Sequence, residues 1–425
     1  MPLLRIGVIS DVQGYAAKYD WGMHNLEKAF AILREKSPDI LINGGDLADN
    51  GDEEVYSFYN TLFHQYFPGK CPINIACAGN HDYSLGRCSD HAARYAAFCN
   101  GVEQENSDPL HKEIAGFDFI ALSEDPLLQG GRAVYSSAIL KKLEKCIRKA
   151  VNRDPEKPIF VVTHFPPEET VAGSSKESSP QLRELFNQYP QVFSISSHTH
   201  IPLEDERNLW QGEFTALQTG SLSYGCSDEY CYNMCHCILP YAREAVQCLY
   251  MEIFPGKIEI HRYNVEDGRE LKKESLWQIP YPFDPVNAPY LFSTRKNQRK
   301  APTFRPGTEV FLRYDFGYLF LFFEEAKGED FVHFYKLQLQ EKREDGSWAF
   351  LREERYIAPF YRLKRNQDPR IILQLPGESL ESHHTYRAEI YAVESFGRES
   401  DPLIVEFVNP CSGKLKDGTC IRPQE

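Results

Sequence analysis

An α/β domain followed by a smaller all-β sandwich is the fold class that this sequence predicts, and three observations predict it. Short apolar runs alternate with helical periodicity through the first part of the chain, the pattern of a parallel sheet with covered faces. A stretch rich in Pro, Asn and basic residues follows over 276–308 and reads as a linker packed on the surface. Seven short alternating or apolar segments then crowd into about a hundred residues, as in a β-sandwich. At 425 residues the chain is also too long for one ordinary core.

Taken in order, Leu4 to Ser10 is an apolar run that delivers Asp11-Val12-Gln13-Gly14. From His24 to Lys36, Leu26, Ala29, Phe30 and Leu33 share a helical face, and Pro38 ends the pattern. Ile40 opens a second apolar run that delivers Gly44-Gly45-Asp46-Leu47-Ala48-Asp49, in which the glycines let the backbone turn sharply. Alone, Gly-Gly-Asp also fits a turn with a capping Asp. A helix from Glu53 to Tyr66 leads to Ile73–Ala78, which delivers Gly79-Asn80-His81-Asp82. Strand, helix, strand, helix, strand places these three loops on one sheet edge, where ligands bind in open α/β sheets. A helix near Ser89–Cys99, a strand near Phe117–Leu122 and a helix over Ser137–Val151 follow. Ile159–Thr163 then delivers His164, and Val192–Ser197 delivers His198-Thr199-His200. Five strand ends thus present Asp11, Gln13, Asp46, Asn80, His164, His198 and His200, an oxygen and imidazole set suited to Mn²⁺, Fe²⁺ or Zn²⁺.

The loop from Pro166 to Pro180 reads as flexible, either a solvated surface loop or a lid beside His164. Phe214–Gln218, Tyr232–Pro240, Gln247–Phe254 and Lys257–Tyr263 supply strands of a second sheet, with Thr219-Gly220-Ser221 as a tight turn. Cys226, Cys231, Cys235 and Cys237, with His236, lack the paired Cys-x-x-Cys knuckles of a zinc site. Alternation over Cys231, Asn233, Cys235 and Cys237 sets three thiols on one strand face, so reduced structural cysteines are expected, with zinc as the alternative. The domain boundaries read as 1–275, a linker over 276–308, a β-sandwich over 309–410 and a tail over 411–425.

A net charge of −14 opposes sequence-independent nucleic-acid binding, which needs clustered Lys and Arg. It does not oppose small anionic substrates where bound cations supply local positive charge. Met1-Pro2 leads almost directly into the first strand, with no basic leader, and nothing approaches the roughly 20 apolar residues that span a bilayer. A cytoplasmic protein without membrane contact is expected, its 12 cysteines reduced, although a chain whose leader had been removed would read the same.

The ordered set Asp-x-Gln, Gly-Asp-x-x-Asp, Gly-Asn-His-Asp, Thr-His and x-His-x-His resembles the calcineurin-like metallophosphoesterase family. The resemblance implies a four-layer α/β/β/α sandwich and two divalent metal ions, Mn²⁺, Fe²⁺/Fe³⁺ or Zn²⁺. It implies that one metal takes Asp11, Gln13, Asp46 and His200, and the other Asp46, Asn80, His164 and His198, with Asp46 bridging. Two cations about 4 Å apart can bind a phosphoryl oxygen and lower the pKa of a bridging water. His81 then matches the family's general acid, and Asp49 the carboxylate that orients it and keeps its proton. Asp82 is left without a role. Most members carry His where this chain has Gln13, a weaker ligand for transition metals, although some diphosphatase members carry Gln. Ser197 stands where Gly is usual.

The expected activity is hydrolysis of a small phosphodiester, nucleotide or diphosphate. A phosphomonoesterase is one alternative, and a metal-stabilised scaffold without turnover, supported by Gln13, is another. Tyr15, Trp21, Tyr83, Arg87 and Tyr224 lie near the motifs in sequence as candidate pocket residues. Tyr386 to Val393 followed by Ser395-Phe396-Gly397 resembles the penultimate strand and turn of fibronectin type III domains. That domain would either buttress the catalytic one or contact protein or carbohydrate.

Overall fold

The structure is a computed structural model in which residues 1–15, 20–84, 89–376, 380–409 and 419–421 are described. The candidate Arg87 lies outside them, as does most of the expected tail over 411–425. The chain forms two compact units, 1–228 with 241–295, and 229–240 with 296–425.

The first unit begins with β1 (Leu4–Ile9), α1 (Trp21–Lys36), β2 (Ile40–Asn43), α2 (Glu53–Tyr66), β3 (Ile73–Ala76) and α3 (His91–Gly101). It continues through β4 (Leu110–Ile114), β5 (Phe117–Leu122), β6 (Leu127–Gln129), β7 (Arg132–Val134), α4 (Ser137–Arg153), β8 (Ile159–Thr163) and α5 (Pro180–Phe186). β9 (Val192–Ser196), β10 (Leu209–Gln211), β11 (Thr215–Gln218), β12 (Gln247–Phe254), β13 (Lys257–Asn264), β14 (Glu270–Leu271) and β15 (Trp277–Pro280) complete it. Among the described residues, one sheet runs β14-β13-β12-β1-β2-β3 with β15 also on β13, and a second runs β10-β11-β9-β8-β5-β4. β1, β2 and β3 are parallel, with Ile6 beside Ile40 and Ile40 beside Ile73, whereas β12 joins β1 antiparallel.

Period-2 alternation sorts the side chains into layers. Ile6, Val8, Ile42, Met251, Phe119, Phe160 and Ile195 form the core between the sheets. Leu26, Phe30, Leu33, Tyr59 and Phe63 of α1 and α2 cover the outer face of the first sheet. Ile139, Leu143 and Ile147 of α4, with Leu182 and Phe186 of α5, cover that of the second. The order helix, sheet, sheet, helix is the expected four-layer sandwich. α1 starts where Asp20 accepts the Met23 N–H at 2.9 Å and stops where Ser37 turns left-handed at φ 51°. Phe30, wholly buried, contributes about 1.5–3 kcal/mol by leaving water.

Three observations differ from the sequence reading. Trp277–Pro280 is an edge strand on β13, so 276–308 does not begin as a linker; α6 (Phe292–Gln298) follows. Tyr232–Pro240 is not a strand. Its polar groups are taken up locally within the second unit: Tyr232 N–H donates to the Arg355 carbonyl at 2.7 Å, and Asn233 Oδ1 accepts the Ile357 N–H at 2.9 Å. Cys231 is accordingly buried and Cys235 and Cys237 exposed, and none of these thiols joins the convergent His, Cys and carboxylate groups among the described residues. The loop 166–180 is hydrogen-bonded within itself, with Val171, Ala172, Ser174, Ser178 and Ser179 buried.

The second unit holds β16 (Phe311–Asp315), β17 (Tyr318–Glu324), β18 (Phe334–Lys342), β19 (Trp348–Ile357), β20 (Arg370–Pro376), β21 (Thr385–Val393), β22 (Leu403–Val408) and β23 (Thr419–Ile421). They form sheets β20-β17-β16-β23 and β19-β18-β21-β22 around Leu319, Leu321, Leu337, Leu339, Ile390 and Phe407. β23 is a strand beyond the expected seven, within the stretch read as a tail. No helix among the described residues is long and apolar enough to cross a membrane.

One buried charge cluster braces the first unit. Glu206 accepts from Arg262 at 2.9 Å, Lys272 at 3.0 Å, Trp277 Nε1 at 2.7 Å and Arg295 at 3.3 Å, while Arg262 is wholly buried. Burial opposes charge on Glu206, but Lys272 and Arg262 hold its carboxyl well below the ordinary 4.5. A depressed carboxylate stabilises above its unfolded pKa, so this contribution is lost as pH falls below about 4.5 toward the folded value. Glu206→Gln leaves three cations around a neutral amide. Urea unfolding at pH 7 is expected to show a loss of about 3 kcal/mol, shrinking as the pH is taken below 4.5.

Candidate metal centre

The site is assembled from the carboxyl ends of β1, β2, β3, β8 and β9. There the backbone leaves the strand direction so abruptly that five non-glycine residues turn left-handed: Asp11 (φ 49°), Gln13 (49°), Asp46 (54°), His198 (71°) and His200 (54°). Main-chain hydrogen bonds hold the first two loops against each other, from Asp11 N–H to the Gly45 carbonyl at 2.9 Å and from Gln13 N–H to that of Asp46 at 2.9 Å. Gly79 passes so close that a Cβ there would lie 2.1 Å from Asp46 Oδ1, so only glycine fits.

Ligand atoms of Asp11, Asp46 and His164 converge within 4.8 Å of one another, all three residues buried. His164 Nε2 lies 3.3 Å from Asp46 Oδ2 and 3.2 Å from His198 Nδ1, and His200 Nε2 lies 3.2 Å from Asp11 Oδ1. Asp11 Oδ1, Asp46 Oδ2 and Asn80 Oδ1 are buried and accept no hydrogen bond. Buried acceptors left unmatched are costly, and lone pairs that face one another repel unless a cation lies between them. The donor set therefore fits divalent metal.

The charges agree. Burial opposes ionisation of both Asp46 and His164, yet their mutual attraction holds the Asp46 carboxyl far below the ordinary range and raises His164 to about 9. Burial lowers His198 in spite of its Glu177 hydrogen bond, favouring the neutral imidazole that a metal needs.

Gln13 is half-buried, and its Oε1 accepts from the Ser223 hydroxyl at 2.9 Å. His81 Nδ1 lies 2.9 Å from Asp49 Oδ1, while its Nε2 is 3.9 Å from Asp46 Oδ2. Asp82, roleless in the sequence reading, is buried and ties two loops together. It accepts from the N–H groups of Leu47 at 3.3 Å, Ala48 at 3.0 Å and Gly79 at 2.9 Å, and from Tyr56 OH at 3.0 Å. Burial and then Asp46 push its carboxyl up to about 6, against those donors.

Among the candidate pocket residues, Tyr83 is buried with its hydroxyl on the Ser123 carbonyl, and Trp21 donates to the Ser223 carbonyl at 3.1 Å. Tyr83 is thus part of the packed interior, whereas Trp21 is half-buried. Tyr15 is exposed, and the Tyr224 ring lies 4.4 Å from that of His200. Sequence reasoning missed Ser223 and Glu177, whose carboxylate lies 3.0 Å from His198 Nε2. No local motif marks either.

No curated protein matches this chain. Similar solved structures include a purple acid phosphatase from yellow lupin (Lupinus luteus) seeds, at 13% identity and TM-score 0.43, covering 66% of this chain and 55% of that one. A putative 5'-nucleotidase from Staphylococcus aureus is 11% identical at TM-score 0.37, covering 87% and 82%. A predicted phosphoesterase from Streptococcus pneumoniae is 12% identical at TM-score 0.30, covering 65% and 97%. The chain thus spans about 55% of the length of the lupin phosphatase. Residues 4–202 match the model of the calcineurin-like phosphoesterase family.

Proposed function

We propose that this chain is a dinuclear metal-dependent hydrolase of a small phosphodiester, nucleotide or diphosphate. The observation that carries this reading is the convergence of Asp11, Asp46 and His164, whose ligand atoms lie within 4.8 Å of one another with a buried, unmatched oxygen on each carboxylate. Asp11, Gln13, Asp46 and His200 would hold one cation, and Asp46, Asn80, His164 and His198 the other. Such ions supply Lewis acidity toward a phosphoryl oxygen and toward a nucleophilic water.

The remaining work falls to the chain itself. Asp49 accepts at His81 Nδ1 through its side chain at 2.9 Å and its carbonyl at 3.1 Å, which fixes the ring and turns Nε2 toward the site. From there Nε2 can hold a proton for the departing alkoxide. The net charge of −14 favours a small substrate over DNA. We read the second unit as fibronectin type III-like, in keeping with the order β19-β18-β21-β22 facing β20-β17-β16.

The test is hydrolysis of bis(p-nitrophenyl) phosphate beside p-nitrophenyl phosphate by metal-stripped protein refilled with Mn²⁺, Fe²⁺, Zn²⁺ or Mg²⁺. Metal-dependent release is expected, faster on the diester. Faster release from the monoester makes the chain a phosphomonoesterase, and two ions bound with no release would point to a non-catalytic binding protein.

A further inference from the structure

Four imidazoles surround the site, and each has one nitrogen held by an acceptor. His164 Nδ1 lies 3.0 Å from the Gly44 carbonyl oxygen, His200 Nδ1 3.1 Å from that of Tyr224, and His81 Nδ1 3.1 Å from that of Asp49. A carbonyl oxygen can only accept, so in these rings Nδ1 carries the hydrogen and Nε2 faces the site. His198 is reversed. Its Nδ1 faces His164 Nε2 at 3.2 Å, and its Nε2 points away to Glu177 Oε2 at 3.0 Å. Backbone carbonyls hold the first three rings, and a side chain 21 residues upstream holds the fourth.

The loop brings Glu177 there through its own backbone. Glu177 N–H donates to the Gly131 carbonyl at 2.5 Å, and Ala133 N–H to that of Ser178 at 2.9 Å, so the β6–β7 hairpin grips the loop on both sides of the carboxylate's Cα. Ser179 N–H reaches the Pro166 carbonyl at 2.9 Å, and Ser178 and Ser179 are buried. Glu177 itself turns left-handed at φ 46°, a conformation this fastening sustains.

We propose that Glu177 is the positioning residue of His198: its carboxylate accepts the Nε2 hydrogen and thereby presents the Nδ1 lone pair to the cation shared with Asp46, Asn80 and His164. This rests on the ligand set given under the proposed function. Carboxylates that hold the far nitrogen of a ligating histidine fix its tautomer and ring orientation, and losing one typically costs about 10–100-fold in metal affinity. Gly44, Tyr224 and Asp49 do the same for their rings through main-chain atoms that no substitution removes. Glu177 is the member of this group that a single exchange can delete.

The experiment uses the full chain as wild type, Glu177→Ala and Glu177→Gln. Each is stripped of metal and titrated with Mn²⁺ or Zn²⁺ against a chromophoric chelator, and ¹⁵N-histidine NMR reads the His198 tautomer. Because the Glu177 side chain is 55% exposed and the loop is fastened by its backbone, truncation leaves the fold intact, which circular dichroism checks. In Glu177→Ala, one of the two ions is expected to bind about 10–100-fold more weakly while the other is unchanged, with His198 in mixed tautomers. Glu177→Gln, which still accepts through Oε1, recovers most of the affinity. Wild type that binds fewer than two ions overturns the ligand set itself. Two ions in wild type, with affinities and tautomer unchanged in Glu177→Ala, overturn the role of Glu177 alone, as does equal weakening of both ions.

Discussion

Asp46→Asn is expected to abolish metal-dependent hydrolysis and to lower retention of both ions. Asp46 is 1% exposed, its Oδ2 lies 3.3 Å from His164 Nε2, and its Oδ1 accepts the His81 N–H at 2.9 Å. The amide keeps the shape and can keep the His81 bond. It loses the charge, and an N–H₂ then stands where an unmatched oxygen faced the other ligands. A fall in kcat/KM of about 10³ or more, roughly 4 kcal/mol in the barrier, follows if both ions depend on this carboxylate. Elemental analysis beside the rate decides it: two retained ions and an undiminished rate refute the bridging role.

His81→Ala is expected to lower kcat by about 10²–10⁴ while metal content stays at the wild-type level. The imidazole is 20% exposed and its Nε2 is 3.9 Å from Asp46 Oδ2, so its loss removes a proton donor and leaves the ligand set complete. Leaving-group chemistry sharpens the test. p-Nitrophenolate departs without a proton, whereas an alkoxide needs one, so the loss should be larger for an alkyl ester than for the nitrophenyl ester. Equal losses on both substrates would make His81 a binder of the phosphoryl group and not its acid. Asp49→Asn should fall between His81→Ala and wild type, because the Asp49 carbonyl still reaches Nδ1 at 3.1 Å.

Much of this centre was legible because its residues lie directly after strands, and an apolar run followed by Asp, Asn or His is a local pattern. Asp49 was legible as the partner of His81 through the family resemblance, as the second carboxylate of Gly-Asp-x-x-Asp. Glu177 was not, because its position depends on main-chain pairing with a hairpin more than forty residues earlier, and the loop's Ser and Glu content reads as solvated. Ser223 reaches Gln13 across 210 residues, a distance no periodicity spans. Residues Tyr232–Pro240 read as a strand and instead serve as turns, since Asn233 side-chain bonds to Ile357 replace a ladder. β23 escaped notice because three residues carry no period of their own.

The left-handed backbone at Asp11, Gln13, Asp46, His198 and His200 has a consequence for the lifetime of the protein. A non-glycine residue held there costs about 1–2 kcal/mol, and glycine cannot relieve the cost where the side chain must act as a ligand. The metal-free fold is weakened accordingly, and ions that bind only the folded state restore stability by mass action, about 2.7 kcal/mol at a hundred times the dissociation constant. Unfolded fraction, and with it exposure to proteases, then rises and falls with the supply of metal. Under the proposed ligand set, resistance to proteolysis would then depend on bound metal before any substrate is turned over.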